Sequence, residues 1–302
     1  MRFSIFQESV LGARRTNQDR MGYCFTRDSL LMVLADGMGG HPRGEVAAAL
    51  AVQAAGAAFQ HRARPLLDQP DEFLRRALLA GHRDILRYQA LHGLPESPRT
   101  TVVACIVQQG RAWWAHAGDS RCYWVRDAAL RARTRDHSHV ESLMAQGLLD
   151  AQAARDHAQR HVVSNCLGGP LEPRIELGES DALRAGDTLL LCSDGVWSAM
   201  PDETICATLS RAPVFSAVPE LLRQAVSTAG AAADNATAVA MTWQDDPAPI
   251  GAWSAPLPAD LAVTTTIALG EADADAAADV SDEEIERAIR EIRDAIQRHG
   301  GR

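Results

Sequence analysis

Short apolar runs separated by turn residues fill the first 244 residues of the chain. Six of these runs are rich in β-branched, aromatic or leucyl residues and are bounded by Gly, Asp or Asn, a pattern typical of β-strands. The predicted strands are Ser29–Ala35, Thr100–Gln108, Ala112–His116, Cys122–Val125, Thr188–Ser193 and Ala236–Trp243. Gln109-Gly110 is short enough to form a hairpin between the second and third strands, and Gly118-Asp119-Ser120 to form one between the third and fourth.

Longer stretches with helical spacing lie between these runs. The predicted helices are Gly44–His61, Asp71–His92, Ser138–Gln146 and Pro219–Ala229. In the second of them, one apolar face is approximated by Phe73, Ala77, Leu78, Ile85 and Leu86. Because the strands are grouped and several links have hairpin length, we predict an α+β fold of packed antiparallel sheets with helices outside. A doubly wound parallel sheet is less compatible with this order.

The composition changes after Gln244. Residues 1–244 carry 26 acidic and 25 basic residues, whereas residues 245–302 carry 13 and 5, so most of the net charge of −9 lies in the tail. We predict a folded domain over residues 1–244 and an acidic disordered linker over 245–280. Residues 281–299 are predicted to form an amphipathic helix, capped by Ser281 and Glu284 and carrying a stripe of isoleucines. The stripe comprises Ile285, Ile289, Ile292 and Ile296.

Composition also excludes several kinds of chemistry. All 30 basic residues are Arg and none is Lys, which excludes Schiff-base chemistry and the lysine-dependent phosphate sites. A neutral body with an acidic tail lacks the clustered positive charge that nucleic-acid binding needs. The six cysteines contain no C-x-x-C pair, and no apolar stretch resembles a signal peptide or a membrane span. We therefore predict a cytoplasmic protein without nucleic-acid or membrane partners.

Four aspartates lie at or next to the ends of predicted strands: Asp36, Asp119, Asp194 and Asp234. Each has Gly or another small turn residue beside it, and strand ends can converge at one edge of a sheet assembly. Oxygen ligands without His or Cys favour Mg²⁺ or Mn²⁺ over zinc. Glycine after Asp36 allows close approach, so the Gly37 carbonyl can itself serve as a ligand. One Asp-Gly pair is an ordinary turn, but the joint pattern is harder to explain in that way.

Seven sequence blocks in register carry a family resemblance. They are Arg14–Asp19 (RRTNQD), Asp36–His41 (DGMGGH), Thr100-Thr101, Gly118–Arg121 (GDSR), Asp136–Ser138 (DHS), Ser193–Gly195 (SDG) and Asp234-Asn235. Together they closely resemble the bacterial branch of the metal-dependent protein serine/threonine phosphatases (PPM, type 2C). The resemblance covers roughly residues 5–243, and the tail has no counterpart in it. It implies that residues 1–244 form a metal-dependent phosphatase domain.

The resemblance implies a four-layer α-β-β-α sandwich with two Mn²⁺ or Mg²⁺ ions in the cleft between the sheets, and a third, weaker metal site. Asp36 would bridge both ions and the Gly37 carbonyl would bind one of them. The remaining roles fall to five residues: Asp194 and Asp234 as ligands of the other ion, Asp19 holding metal-bound water, Asp119 at the third site, and Arg14 binding the substrate phosphate.

The implied reaction is hydrolysis of phosphoserine or phosphothreonine by attack of a hydroxide that bridges the metals. The partners would be phosphorylated proteins and a cognate bacterial Ser/Thr kinase. Met38 stands where eukaryotic relatives carry a histidine thought to protonate the leaving group, and His41 nearby is a weak substitute. Arg99 and Gln18 also depart from the family pattern, and residues 138–166 match its variable flap.

Other interpretations stay open at this point. A non-catalytic regulator could keep the same fold for binding a partner, although a decayed site would have lost its carboxylates. A phosphatase acting on a small phosphorylated molecule would carry the same residues. The tail helix could dock on a partner or on the catalytic body, or remain a solvated appendage.

Overall fold

The computed structural model describes residues 1–39, 43–150, 153–154 and 157–244, together with the backbone of residues 263–265. The strands within these residues are β1 (Phe3–Val10), β2 (Asp19–Phe25), β3 (Ser29–Asp36), β4 (Val102–Gln108), β5 (Arg111–Ala117), β6 (Arg121–Arg126), β7 (Ala129–Arg133), β8 (Glu176–Glu179), β9 (Thr188–Cys192), β10 (Ala236–Trp243) and β11 (Val263–Thr265). The helices are α1 (Gly44–Arg62), α2 (Pro70–Leu91), α3 (His139–Ala145), α4 (Asp194–Trp197), α5 (Asp202–Arg211) and α6 (Val214–Ala229), followed by a 3₁₀ turn at Gly230–Ala232.

Two antiparallel sheets face each other. The first has the order β1-β10-β9-β6-β7, and the second has the order β11-β2-β3-β4-β5-β8. Side chains along β3 alternate between two hydrophobic cores. Leu30, Met32 and Leu34 pack in the core between the sheets. Leu31 and Val33 point the other way, into a second core under the helices. Successive side chains of a strand lie on opposite faces, so an unbroken apolar run predicts a strand covered on both sides.

Helices cover the outer face of each sheet. Helices α1 and α2 pack on the second sheet, where Phe59 and Phe73 meet edge to face with ring centroids 6.2 Å apart. Helices α4, α5 and α6 pack on the first sheet through residues such as Val196, Leu209 and Leu222. The predicted α+β fold, a four-layer α-β-β-α sandwich, is confirmed.

All six predicted strands and all four predicted helices are present, with small shifts at their ends. The largest shift is in α6, which begins at Val214 rather than at Pro219 and contains that proline. The pattern missed strands β1, β2, β7 and β8 and helices α4 and α5. Strand β1 shows why: all eight of its residues, Phe3–Val10, are only half-buried, so its apolar positions do not stand out.

One predicted hairpin is wrong. The Gln109-Gly110 turn does join paired strands β4 and β5. The next turn, Gly118-Asp119-Ser120, instead carries the chain from β5 in the second sheet to β6 in the first. Gly118 has φ of +114°, and a Cβ there would lie 2.5 Å from Thr101 Cβ, so only glycine fits this crossing. This crossing places Asp119 at the boundary between the two sheets.

Part of the predicted linker pairs with the body of the protein. Val263–Thr265 form β11, whose residues pair antiparallel with Tyr23–Phe25 of β2. The rest of the 245–280 segment and the predicted helix at 281–299 lie outside the described residues. None of the helices in the described part of the chain combines the length and the apolar character needed to cross a membrane.

Candidate active site

Two neighbouring strands of the second sheet bring two aspartates together. Strand β2 begins at Asp19 and β3 ends at Asp36, and antiparallel pairing places these residues directly opposite each other. Asp19 is almost fully buried, and its Oδ2 accepts a 2.7 Å hydrogen bond from Ser193 Oγ of the first sheet's side. The pairing register, not the sequence spacing, therefore creates this carboxylate pair.

The first sheet contributes the other acidic residues. Asp194 is the first residue of α4 and lies two positions after the end of β9, and Asp234 lies two positions before β10. Asp36, Asp119, Asp194 and Asp234 line one cavity of about 310 Å³ between the sheets. Asp19 lies behind this cavity, next to Asp36. The structure therefore gathers all five predicted acidic residues at one end of the sandwich.

Glycines allow the backbone to pass close to the site. A Cβ on Gly37 would lie 2.4 Å from the Gly44 carbonyl oxygen and 2.8 Å from the Gln18 carbonyl oxygen. A Cβ on Gly195 would lie 2.1 Å from the Asn235 carbonyl oxygen. Since no side chain fits at these distances, the Asp-Gly pairs are required by packing as well as by any ligand role.

Hydrogen bonds hold the backbone of the site in place. The Asp36 carbonyl accepts bonds from Thr100 Oγ1 (2.8 Å) and from the Thr101 amide (2.9 Å). Thr101 Oγ1 in turn lies 2.7 Å from Ser120 Oγ in the crossing turn. The Asn235 side chain accepts from the Gln18 amide at 2.9 Å and donates to the Leu11 carbonyl at 2.9 Å. The Thr-Thr, GDSR and Asp-Asn blocks thus connect strands that are distant in sequence.

The crowded carboxylates disfavour their own ionisation. Burial, followed by the negative charges of Asp19, Asp194 and Asp119, raises the pKa of Asp36 well above its usual range. Burial and the charge of Asp194 likewise raise the pKa of Asp119. Burial raises the pKa of Asp19 to about 7, despite hydrogen bonds from Thr237 and Ser193 that favour its charged form. Such an arrangement needs nearby positive charge to be fully ionised at neutral pH.

Arg14 supplies the nearest positive charge among the predicted site residues. Its Nη2 lies 2.6 Å from Asp234 Oδ2, and 58% of its side chain is exposed. Hydrogen bonding and charge attraction from Asp234 raise the pKa of Arg14, which therefore stays protonated. The guanidinium lines the cavity and remains open to solvent on its other side. Its position suits a group that meets an anionic ligand at the cavity mouth.

The donor set fits hard divalent cations. Among the described residues, the cavity offers carboxylate oxygens, the Gly37 backbone and the His161 imidazole, and no Cys. Asp19 Oδ1 is buried and has no hydrogen-bond partner, which leaves an acceptor for a water or an ion at the back of the site. In the described part of the chain, no three His, Cys, Asp or Glu side chains already form a closed ligand set around one point. The carboxylates line the cavity walls instead, as expected where like charges repel one another.

His161 is a cavity residue that sequence reasoning did not single out. Its Nδ1 lies 3.8 Å from Asp194 Oδ2, and Val163 lines the same cavity. Both residues belong to the predicted flap, residues 138–166. The prediction of this flap was the feature of the sequence that could have identified them. His41, the other histidine considered near the site, lies outside the described residues. Met38 lines both this cavity and an adjoining one of about 780 Å³ between the flap and residues 169–174.

The described part of the chain is a four-layer sandwich with a carboxylate-lined cavity between its two sheets. The family model for protein phosphatase 2C matches residues 7–236, and the chain belongs to that family. The predicted family resemblance is confirmed.

Curated relatives agree with this assignment. The chain is 34% identical over 235 residues to the serine/threonine protein phosphatase PstP of Mycobacterium tuberculosis, an alignment that covers 76% of this chain and 42% of PstP. It therefore spans less than half the length of that relative. It is 30% identical over 246 residues to the protein phosphatase PhpP of Streptococcus pneumoniae, covering 79% of this chain and 96% of PhpP.

Solved structures show the same fold. The crystal structure of Mycobacterium tuberculosis PstP/Ppp superposes with a TM-score of 0.69 at 32% identity, covering 80% of this chain and 99% of that one. The PstP catalytic domain in complex with two manganese ions superposes with a TM-score of 0.66 at 30% identity, covering 80% and 99%.

Proposed function

We propose that this protein is a metal-dependent phosphoprotein phosphatase that hydrolyses phosphoserine and phosphothreonine. The observation that carries the proposal is the set of five aspartates at one end of the sandwich, four of which line one cavity together with Arg14. Burial and the neighbouring negative charges raise the pKa values of Asp36 and Asp119, so the site favours divalent ions. Membership of the protein phosphatase 2C family and the relatives named serine/threonine phosphatases support the same activity.

Mn²⁺ or Mg²⁺ is the proposed cofactor, and PstP with two manganese ions supports it. Asp36 would bridge two ions, the Gly37 carbonyl would bind one, and Asp194 and Asp234 would bind the other. Asp19 would hold water behind Asp36, and Asp119 would serve an additional, weaker metal site. When bound, a pair of divalent cations lowers the pKa of coordinated water and offsets the charge of the phosphate.

Arg14 is the proposed phosphate-binding residue of the chain. Its guanidinium now pairs with Asp234, and its planar fork can present two N–H groups to phosphate oxygens. With a cation held by Asp234, the Arg14 guanidinium would be free of this ion pair and available to orient the phosphate at the cavity mouth. Met38 has no titratable group, so the chain provides no proton donor at that position.

The expected substrates are phosphorylated proteins, and the expected counterpart is a bacterial Ser/Thr kinase that phosphorylates them. The adjoining cavity of about 780 Å³ supports a protein substrate, since it extends the site beyond the phosphate. A cytoplasmic location is part of the proposal. All six cysteines are free thiols in this structure, which suits a reducing compartment.

Phosphate release from a phosphothreonine peptide, with and without Mn²⁺, tests the proposal. We expect metal-dependent turnover that is abolished in Asp194→Asn. Asp68→Asn is the matched control, because Asp68 is exposed and away from the cavity. Full activity of Asp194→Asn would contradict the site assignment. Absence of turnover with every metal would favour the alternative, a phosphatase-fold regulator that binds partners without catalysis.

A further inference from the structure

His137, the histidine of the Asp-His-Ser block, is buried between the active site and the predicted flap. It lines the adjoining cavity of about 780 Å³ and not the cavity that the aspartates line. The His137 amide donates to the Gly118 carbonyl at 2.9 Å, and the His137 carbonyl accepts from the Ser164 amide at 2.8 Å. The backbone of His137 therefore joins the crossing turn to the end of the flap.

The imidazole of His137 is hydrogen-bonded at both ring nitrogens. Its Nδ1 lies 3.2 Å from the Gly118 amide nitrogen and 2.8 Å from Asn165 Nδ2, and its Nε2 lies 3.3 Å from Glu176 Oε2. The Gly118 amide can only donate. The orientation of the Asn165 side chain is fixed, because its Oδ1 accepts from the Arg174 amide at 3.0 Å. Nδ1 is consequently the acceptor of the ring, and Nε2 carries the proton and donates to Glu176.

The surroundings of the ring favour this neutral form. The His137 ring stacks on His116, with ring centroids 4.5 Å apart and an angle of 15° between the planes. Burial, followed by the charge of His116, lowers the pKa of His137. Burial also lowers the pKa of His116. A neutral ring with a free lone pair on Nδ1 is the form that both N–H donors require.

The acceptor on His137 fixes one side of Asp119. Gly118 is buried, so its N–H would lack a partner if the imidazole nitrogen were removed. On the other side of Asp119, Ser120 Oγ lies 2.7 Å from Thr101 Oγ1. Asp119 is 3% exposed and lines the cavity of the aspartates between these two anchors. A displaced Gly118 would therefore displace the Asp119 carboxylate.

We propose that His137 is a positioning residue, which fixes Asp119 through the Gly118 amide and makes its placement depend on the end of the flap. The flap acts through Ser164 and Asn165, which hold the backbone and the ring of His137. Asp119 is the proposed ligand of the weaker metal site, so the inference rests on the proposed function. Loosening the end of the flap weakens cation binding even though Asn165 lines the adjoining cavity and not that of the aspartates.

Two substitutions separate the roles of the two ring nitrogens. The amide of Gln reaches the position of Nε2 and the amide of Asn that of Nδ1, so His137→Gln removes the acceptor for Gly118 whereas His137→Asn can retain it. We expect His137→Gln to weaken Mn²⁺ binding, measured by calorimetry on the full-length protein without substrate, by about ten-fold or more. His137→Asn should bind Mn²⁺ several-fold more tightly than His137→Gln. The matched control is His92→Gln, since His92 is exposed at the end of α2.

Hydrogen exchange in EDTA examines the crossing turn without metal or turnover. The amide of Gly118 should exchange several-fold faster in His137→Gln than in the wild type, and His137→Asn should restore part of its protection. Asn165→Ala leaves the imidazole in place and keeps the inference testable if His137→Gln does not fold. It should accelerate exchange at Gly118 and raise the Kd for Mn²⁺ several-fold.

Three results would overturn the proposal. The first is an equal loss of Mn²⁺ affinity in His137→Gln and His137→Asn, which would indicate a general packing effect. The second is exchange at Gly118 in His137→Gln that matches the His92→Gln control. The third is an unchanged Mn²⁺ affinity and exchange in Asn165→Ala. If the wild type binds Mn²⁺ but releases no phosphate from a phosphothreonine peptide, the proposed function fails, and calorimetry and exchange still decide the role of His137.

Discussion

Replacing Asp19 with Asn should stabilise the metal-free protein at alkaline pH, although it removes a proposed site residue. Asp19 is almost fully buried, its Oδ1 has no partner, and it lies opposite Asp36. Burial raises its pKa to about 7 from an ordinary value of 3.8. Asn keeps the shape of the side chain and can still accept the hydrogen bond from Ser193, but it cannot ionise.

The size of the effect follows from the two pKa values. At about 1.4 kcal/mol per pH unit, the interval from 3.8 to about 7 corresponds to about 4 kcal/mol. The folded protein binds a proton in this interval that the unfolded chain has released, so the free energy of unfolding falls as pH rises. About 3 kcal/mol of this loss should occur between pH 5 and pH 8. Removing the Asp19 charge also reduces the electrostatic repulsion on Asp36, which further stabilises the variant relative to the wild type at high pH.

Urea unfolding in EDTA at pH 5 and pH 8 measures this. The difference in the free energy of unfolding between Asp19→Asn and the wild type should shift by about 3 kcal/mol in favour of the variant as pH rises. With saturating Mn²⁺ at pH 8 the order should reverse, because metal binding stabilises the wild type more strongly. Asp68→Asn, which changes an exposed aspartate, should show no such pH-dependent difference.

Two results would refute this reasoning. One is a difference between Asp19→Asn and the wild type that is the same at pH 5 and pH 8. The other is a variant less stable than the wild type at pH 8 in EDTA. Either result would mean that ionisation of Asp19 costs little folding free energy in the metal-free protein. Bound cations would then not act by offsetting repulsion among the carboxylates.

Two further substitutions test the framework around the site. Arg121 is buried and donates two 2.8 Å hydrogen bonds to Asp136. Arg121→Met should therefore lower the free energy of unfolding, measured by urea denaturation, by about 3–5 kcal/mol. The double variant Arg121→Met/Asp136→Leu should recover part of this loss, and equal losses in the single and double variants would contradict the ion-pair argument. Gly195→Ala places a Cβ 2.1 Å from the Asn235 carbonyl oxygen and should lower the free energy of unfolding by about 1–3 kcal/mol. It should also weaken Mn²⁺ binding measured by calorimetry. An unchanged affinity for Mn²⁺ would show that α4 does not position Asp194.

Much of the fold could be predicted from local pattern. Runs such as Ser29–Asp36 are apolar on both faces, which identified buried strands and, with the grouping of strands, the layered sandwich. Strand β1 was missed because all of its residues are half-buried, which leaves a weak hydrophobic pattern. The Gly118–Ser120 turn was assigned to a hairpin because its length suits one, and sequence spacing does not record which sheet the next strand enters.

The sequence by itself determined which residues could do the chemistry. Four aspartates beside small turn residues, a chain with no lysine, and a block resembling a known family that contains Arg14 and Asp19 were all readable without coordinates. Only the tertiary structure decided how these groups act on one another. Pairing of β2 with β3 sets Asp19 against Asp36, and the crossing turn places Asp119 at the cavity. Burial and charge repulsion depend on neighbours that are distant in sequence, so the raised pKa values, the Arg14–Asp234 ion pair and the position of His161 are properties of the fold.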